Sequence, residues 1–412
     1  MAAGAALHRS VLTDSDALAA DLAAWQREQS GWAVRVETDI EHVAAVWSRL
    51  EALGLESPGQ SLAFTRFWIA AQRIPAADQR FVTAYLDGSP VALMALHRRR
   101  IKGARAFTWF PGPHVGCNAP LVDAGRLARL APAQRAALWQ AMAAALEGAD
   151  LVYLKAVPAL PVDGVDLFAE LGVSLAADTL YRSAFSSWEE CNTVQRSKSR
   201  RKHDRQQGER LEALGAVGFE ELGPGEAAGA VLDTMFRQRA ARFRQMGVPD
   251  PFAPAAVRAF YDSTVAPGSP LPVKLHLLRL DGAIVAIRYN IASGDKLFCL
   301  ISSMSDDPAI QAGSPGKQCL LRVMQTVFEQ GFRVFDMGAG FTDEKRHWCN
   351  QQIELRNHYL PLNGRGAAIG GLHRAWRQTR ARIKASPVLR EAVRRVRSAA
   401  LRLRGGKDEV QA

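Results

Sequence analysis

The sequence predicts an α/β protein built from two copies of one domain, and three observations lead there. First, an apolar run enters an Asp-Gly pair and another leaves it at two places. Residues 84–92 read Ala-Tyr-Leu-Asp-Gly-Ser-Pro-Val-Ala and residues 278–286 read Leu-Arg-Leu-Asp-Gly-Ala-Ile-Val-Ala, a pattern that marks a two-residue hairpin turn. Second, the sequels match: a strand-like stretch (107–110; 297–301), a loop with Gly and Pro, a helical stretch (131–146; 317–330) and a closing apolar strand (151–157; 332–337). Third, Gly88 and Gly282 stand 194 residues apart, and the closing strands are about as far apart, as a duplication requires. A chain of 412 residues, 48% hydrophobic, has material for two such cores.

The elements follow in order. Residues 1–30 read as a helical leader; His8, Arg9, Asp14, Asp16 and Asp21 interrupt its Ala-rich run, which argues against a spanning helix or a secretory signal. A strand is expected at 33–37 and a helix at 42–53, with Val43, Val46, Leu50 and Leu53 on one face. The aromatic stretch 62–72 reads as a core helix. After the first hairpin and its sequels, residues 158–184 read as a Pro/Gly-punctuated crossover. The second copy opens on the basic run 197–205 at a helix start and passes through Gly215 and Gly218 to a strand. Helices at 228–243 and near 257–261 precede strands at 273–280, 284–291 and 297–301. The expected division is a leader (1–30), a first domain (31–184), a second (185–363) and a basic helical tail (364–412).

The formal charge of +11 is localised, because residues 365–412 hold 13 Arg/Lys against 3 Asp/Glu. In that tail Leu372, Trp376 and Ile383, then Leu389, Val393, Val396 and Leu403, recur at helical spacing among arginines, a pattern suited to an anionic membrane surface. A helix packed on the body with a solvated basic face fits the first segment as well. Nucleic acid is the poorer partner, since Trp376 is the tail's one aromatic. Five cysteines without Cys-x-x-Cys spacing suit a reducing cytoplasm, and nine scattered histidines give no metal-ligand spacing, so no metal is expected.

Two segments carry chemistry. Gly313-Ser314-Pro315-Gly316-Lys317 lies where a helix should begin. Ser314 could cap that helix, Pro315 suits its first turn, and the two glycines would let backbone N–H groups meet an anion such as a pyrophosphate, with Lys317 beside it. The same residues also suit a helix start without a ligand. A P-loop is excluded by Gln311 and Gln318, and Gly338-Ala339-Gly340 is followed by Asp343 in place of the third glycine of a dinucleotide fingerprint. The second segment closes the last strand with Asp336, where open α/β sheets form ligand crevices. Asp336 could accept a proton and Lys345 could stabilise an oxyanion or phosphate; a strand-end turn cap with a solvated charge cluster is the alternative.

Taken as an ordered set, residues 185–360 resemble the CelD/BcsL-type, BioF2-like bacterial acetyltransferases of the GNAT superfamily, which are related to the FemAB aminoacyltransferases. The matching pieces are Ser-Lys-Ser-Arg-Arg at 197–201, Leu-Asp-Gly-x-x-Val-Ala at 280–286, Ser-Pro-Gly-Lys at 314–317 and Gly-Phe-x-x-Phe-Asp-x-Gly…Glu-Lys-x-x-Trp at 331–348. The resemblance implies tandem GNAT-like domains of mixed, splayed sheets and acyl transfer from acyl-CoA (acetyl-CoA) to an amine or hydroxyl. It implies a small-molecule or saccharide acceptor of exopolysaccharide, cellulose or cell-envelope synthesis, and a cytoplasmic protein, peripheral at the inner membrane. Gly313, Ser314, Pro315, Gly316 and Lys317 would then hold the pyrophosphate, Asp336 and Lys345 would be catalytic, and Trp348, Lys198 and Arg201 would bind substrate. Gln311-Ala-Gly-Ser-Pro-Gly departs from the usual GNAT phosphate loop, and Glu344 stands where the family commonly has Tyr. A Fem-like, aminoacyl-tRNA-dependent transferase and a non-catalytic scaffold are the alternatives. The first domain has Pro111–Gly116 in place of Ser-Pro-Gly-Lys and no Asp on its closing strand, so it is expected to be structural or to shape the acceptor site.

Overall fold

A computed structural model describes residues 31–101 and 103–385; the leader and the second tail segment lie outside these. The first half runs β1 (Trp32–Glu37), α1 (Ala44–Glu51), α2 (Leu62–Gln72), β2 (Gln79–Leu86), β3 (Ser89–Ile101), β4 (Ala104–Trp109), β5 (Leu121–Val122), α3 (Ala124–Ala128), α4 (Pro132–Ala144) and β6 (Leu151–Pro158). A small hairpin, β7 (Pro161–Val162) and β8 (Val165–Asp166), leads to β9 (Val173–Ala184). The second half continues α5 (Trp188–Gln195), α6 (Lys198–Glu212), β10 (Val217–Leu222), α7 (Glu226–Met246), α8 (Ala255–Val265), β11 (Val273–Leu280), β12 (Ala283–Ser293) and β13 (Lys296–Met304). It ends α9 (Pro308–Gln311), α10 (Pro315–Glu329), β14 (Val334–Ala339), α11 (Asp343–Trp348), β15 (Gln351–Pro361) and α12 (Gly364–Ala385).

Both Asp-Gly pairs form the expected two-residue turns. Asp87 and Gly88 have φ of 51° and 72°, and Asp281 and Gly282 have 47° and 80°. These are left-handed values at both central positions, which match the twist of the flanking strands. From each turn the sheet grows the same way: β1, β2, β3 and β4 pair antiparallel and β6 joins β4 in parallel, while β10, β11, β12 and β13 pair antiparallel and β14 joins β13 in parallel. The fold is thus a mixed α/β fold with two GNAT-like frames in tandem.

The frames close by exchanging strands. β9 follows β6 in the chain but lies beside β14, and β15 follows β14 but pairs with β6; β9 and β15 pair with each other at the centre. One 13-stranded sheet therefore runs through the molecule. The last 12 residues of the stretch expected as a crossover are this central strand β9. The halves also share a core, with Phe64 and Trp68 of α2 meeting Phe260 of α8 at ring-centroid distances of 4.8 and 5.1 Å. Burying each such ring stabilises by roughly 1.5–3 kcal/mol, so α2 and α8 fix the two frames against one another.

Candidate active site

The site grows from the place where β13 and β14 part. They pair only from Lys296 with Val334 to Phe298 with Asp336. Beyond that, Cys299–Ser302 on one strand and Met337–Ala339 on the other line a cleft of about 610 Å³. β14 is irregular against β9 between Asp336 and Ala339, where Gly338 has φ 78°. The opposite wall comes from the first half. Its loop Gly112–Asn118 lies over the parting strands so closely that a Cβ on Gly116 would sit 2.9 Å from Gly338 Cα.

At one end the cleft shares Arg239, Arg288, Ser302 and Glu344 with a second cavity of about 150 Å³. That cavity reaches Gln311 and Gly316 at the start of α10, and Arg242 of α7. Arg288 is the junction. It is buried on β12, its Nη2 lies 3.3 Å from Glu344 Oε2 and from the Gly316 carbonyl oxygen, and its Nε has no partner. Burial is the largest single influence and works against its charge, but Glu344 together with Cys299 and Cys319 outweighs it and raises the pKa. A buried guanidinium with a free N–H beside a cavity is the donor an anionic ligand needs. Arg239, pressed on Phe243 at 4.6 Å, also has its Nε unpartnered.

The expected phosphate loop is built differently from its reading. Gly313 is needed for packing, since a Cβ there would lie 2.9 Å from Leu211 Cβ of α6. Ser314 sits at φ 51° and makes no side-chain cap. The N–H groups of Gly313, Ser314 and Lys317 bond to the carbonyls of Ile310, Gln311 and Ser314. Pro315 is buried at the first turn of α10 as expected. Gly316 alone keeps its N–H free of a backbone partner and lines the smaller cavity, whereas Lys317 lines neither cavity.

Asp336 lies outside the cleft lining. Its Oδ2 accepts from Arg182 Nε at 2.8 Å and its Oδ1 from the Gly338 N–H at 2.7 Å. Arg182 continues to Glu56 Oε2 at 2.7 Å, and Lys296 reaches Glu56 Oε1 at 2.8 Å. Burial pushes the Glu56 carboxyl upward, yet Arg182 and Lys296 together hold it below its ordinary value. Asp336 thus belongs to a buried clamp that ties the first half's Glu56 to β9, β13 and β14. The clamp sits where the strands part, and Glu344 is the carboxylate that lines both cavities.

Lys345 does line the cleft, but its ammonium donates to the carbonyls of Gly338, Ala339 and Gly340 at 3.1, 2.6 and 2.9 Å. Burial lowers its pKa. It fixes the end of β14. Trp348 is buried, stacked on Trp188 at 6.3 Å and under Arg196 at 5.6 Å. Lys198 is exposed on α6, and Arg201 donates to the Asn192 carbonyl at 3.3 Å; neither lines the cleft. Among the described residues no cluster of His, Cys, Asp and Glu could hold a metal, and no helix is long and apolar enough to cross a membrane. Sequence reasoning missed Arg288 and Arg239. The available signal for Arg288 was one arginine inside the apolar run Ile284–Ile291.

The second half is thus a sheet whose parallel pair, β13 and β14, opens beside the start of α10. Residues 198–346, which contain this opening, match the family described as Acetyltransferase (GNAT) domain. No curated protein matches the sequence. Among solved structures the chain is similar to FemX, with 11% identity over 70% of this chain and 90% of that one and a TM-score of 0.47. L-PGS from Bacillus licheniformis gives 13% identity over 71% and 86% with a TM-score of 0.44. A tandem GNAT protein from the clavulanic acid biosynthesis pathway gives 12% identity over 80% and 99% with a TM-score of 0.41.

Proposed function

We propose that this chain transfers an acyl group from a coenzyme A thioester, acetyl-CoA in the simplest case, to an amine or hydroxyl. The observation that carries the reading is the opening between β13 and β14, continuous with a cavity that ends at Gly316, Arg242 and the unpartnered Nε of Arg288. The strands offer unpaired backbone groups to the amides of a pantetheine arm, and the arginines with the Gly316 N–H offer donors to its pyrophosphate. Glu344, at the junction of the two cavities, is placed to take the proton of the attacking nucleophile. The nucleophile's lone pair attacks the thioester carbonyl carbon, the C–S bond breaks and the CoA thiolate leaves.

An acceptor from exopolysaccharide or cell-envelope synthesis rests on the sequence resemblance. Docking on an anionic membrane surface draws support from α12, which carries exposed Leu372 and Trp376 and no carboxylate. An aminoacyl-tRNA donor draws less, because two cations of α6 are already paired: Arg200 with Asp204 at 3.1 Å and Arg205 with Glu209 at 3.5 Å.

Native mass spectrometry with a panel of acyl-CoAs, followed by CoA-thiol release with the amines of a cell extract, tests the reading. At least one acyl-CoA should bind, and Glu344→Gln should lower kcat about 10²–10⁴-fold with donor affinity retained. A protein that binds none of the panel would overturn it.

A further inference from the structure

The large cleft continues into the first half. There β4 and β6 part after pairing only Ala106 with Leu151 and Phe107 with Val152. A cavity of about 330 Å³ opens at that point, lined by Arg99, Arg100, Thr108, Trp109, Tyr153 and Lys155 among others, and no carboxylate lines it. It shares Gly112 and Lys155 with the large cleft, to which α12 adds Arg377. The two openings are therefore arms of one passage, meeting beneath the loop that carries Gly116.

Among the described residues the charges along this arm form no ion pair. Arg98, the residue before Arg99, pairs with Asp78 at 2.7 Å. Arg135, Arg182, Arg196 and Arg200 are likewise paired. Among the described residues no ion pair or side-chain hydrogen bond engages Arg99, Arg100, Lys155 or Arg377. Burial first, and the neighbouring Arg377 after it, depress the Lys155 pKa, against which Asp178 acts from the large cleft. Like charges gathered with only Asp178 as a nearby counter-charge raise the potential at the mouth of the arm, and an oxyanion entering it relieves their repulsion. A guanidinium matches the oxygens of a phosphate, and Trp109 and Tyr153 give the same arm apolar walls.

We propose that this arm seats the acceptor and that the acceptor carries a phosphate, held by Arg99, Arg100 and Lys155 while its amine or hydroxyl reaches Glu344. The proposal rests on the acyltransferase reading for the word acceptor; the phosphate seat stands on the arm itself. Arg99 and Arg100 are exposed, so replacing them leaves the core intact.

The test is calorimetric titration of inorganic pyrophosphate into protein saturated with CoA, for wild type and Arg99→Ala/Arg100→Ala. A parallel sedimentation assay uses vesicles of phosphatidylcholine with and without phosphatidic acid. Wild type should bind pyrophosphate, and the double variant should bind at least tenfold more weakly with unchanged CoA affinity and thermal midpoint. If the variant also loses sedimentation with phosphatidic acid vesicles, the phosphate is a lipid headgroup; if sedimentation is unchanged, it belongs to a soluble acceptor. Pyrophosphate binding that is absent, or indifferent to both substitutions, overturns the proposal. Should CoA itself fail to bind, the acyltransferase reading falls, and the pyrophosphate titration of the two proteins still decides the phosphate seat.

Discussion

In the second half, the parting strands β13 and β14 face a helix start with a free Gly316 N–H, a buried arginine with an unpartnered Nε, and Glu344 between them. In the first half β4 and β6 part at the equivalent place, but the chain between β4 and α4 turns inward as the loop Gly112–Asn118. That loop becomes a wall of the other half's cleft, and the opening it leaves is lined by unpaired cations. The pair teaches that duplication preserved the frame, which apolar alternation and turn chemistry enforce, while the connections after the fourth strand of each copy took different work. The strand exchange at the centre and the Glu56–Arg182–Asp336 clamp hold both openings in one passage.

The largest effect should come from breaking that clamp. Arg182→Met leaves Asp336 buried without a cationic partner and Glu56 with Lys296 alone, so urea denaturation should show a loss of about 3–5 kcal/mol. The acid limb should report the same clamp. Because Glu56 is depressed in the folded protein, its contribution is present above its ordinary value of 4.5 and is lost as pH falls through the depressed one. Glu56→Gln should flatten that part of the stability–pH curve; an unchanged curve would show that the clamp contributes nothing there.

Next comes the contact between the halves. Gly116→Val places a Cβ 2.9 Å from Gly338 Cα and 3.3 Å from Ala339 N, backbone on both sides, so neither neighbour can yield cheaply. Overpacking of this kind costs about 1–3 kcal/mol. Here it should also lower acetyl-CoA affinity by calorimetry roughly tenfold, by forcing the first half's loop off β14. Unchanged affinity would mean the loop is no part of the cleft.

The smallest effect is expected at Lys317, which lines neither cavity. Lys317→Ala should change CoA affinity by less than about threefold, under 1 kcal/mol, the range of a screened surface charge. A tenfold loss would restore it to the phosphate site.

Much of the frame was legible because its signals are local. The Asp-Gly turns, the helix start at Pro315 and the apolar closing strands each declare themselves within a few residues. β9 did not, since Val173–Ala177 alternates weakly and a third of the strand is exposed, and its partners lie 150 or more residues further along the chain. Asp336 was found, but its ion pair with Arg182, 154 residues away, which ties it into a buried clamp, left no local signal. The two glycines of the 313–317 loop illustrate the same limit. One is fixed by a leucine on α6 and the other by a methionine on β13, contacts that spacing along the chain cannot reveal.

The central claim, that one half holds the donor while the other shapes the passage, is tested most directly by calorimetric binding of acetyl-CoA to the full chain and to Arg288→Met. The account predicts one acetyl-CoA per chain, with affinity lost by about tenfold or more in the variant, as removal of a charge-assisted contact implies. Two equivalents per chain, or one whose affinity ignores Arg288, would contradict it.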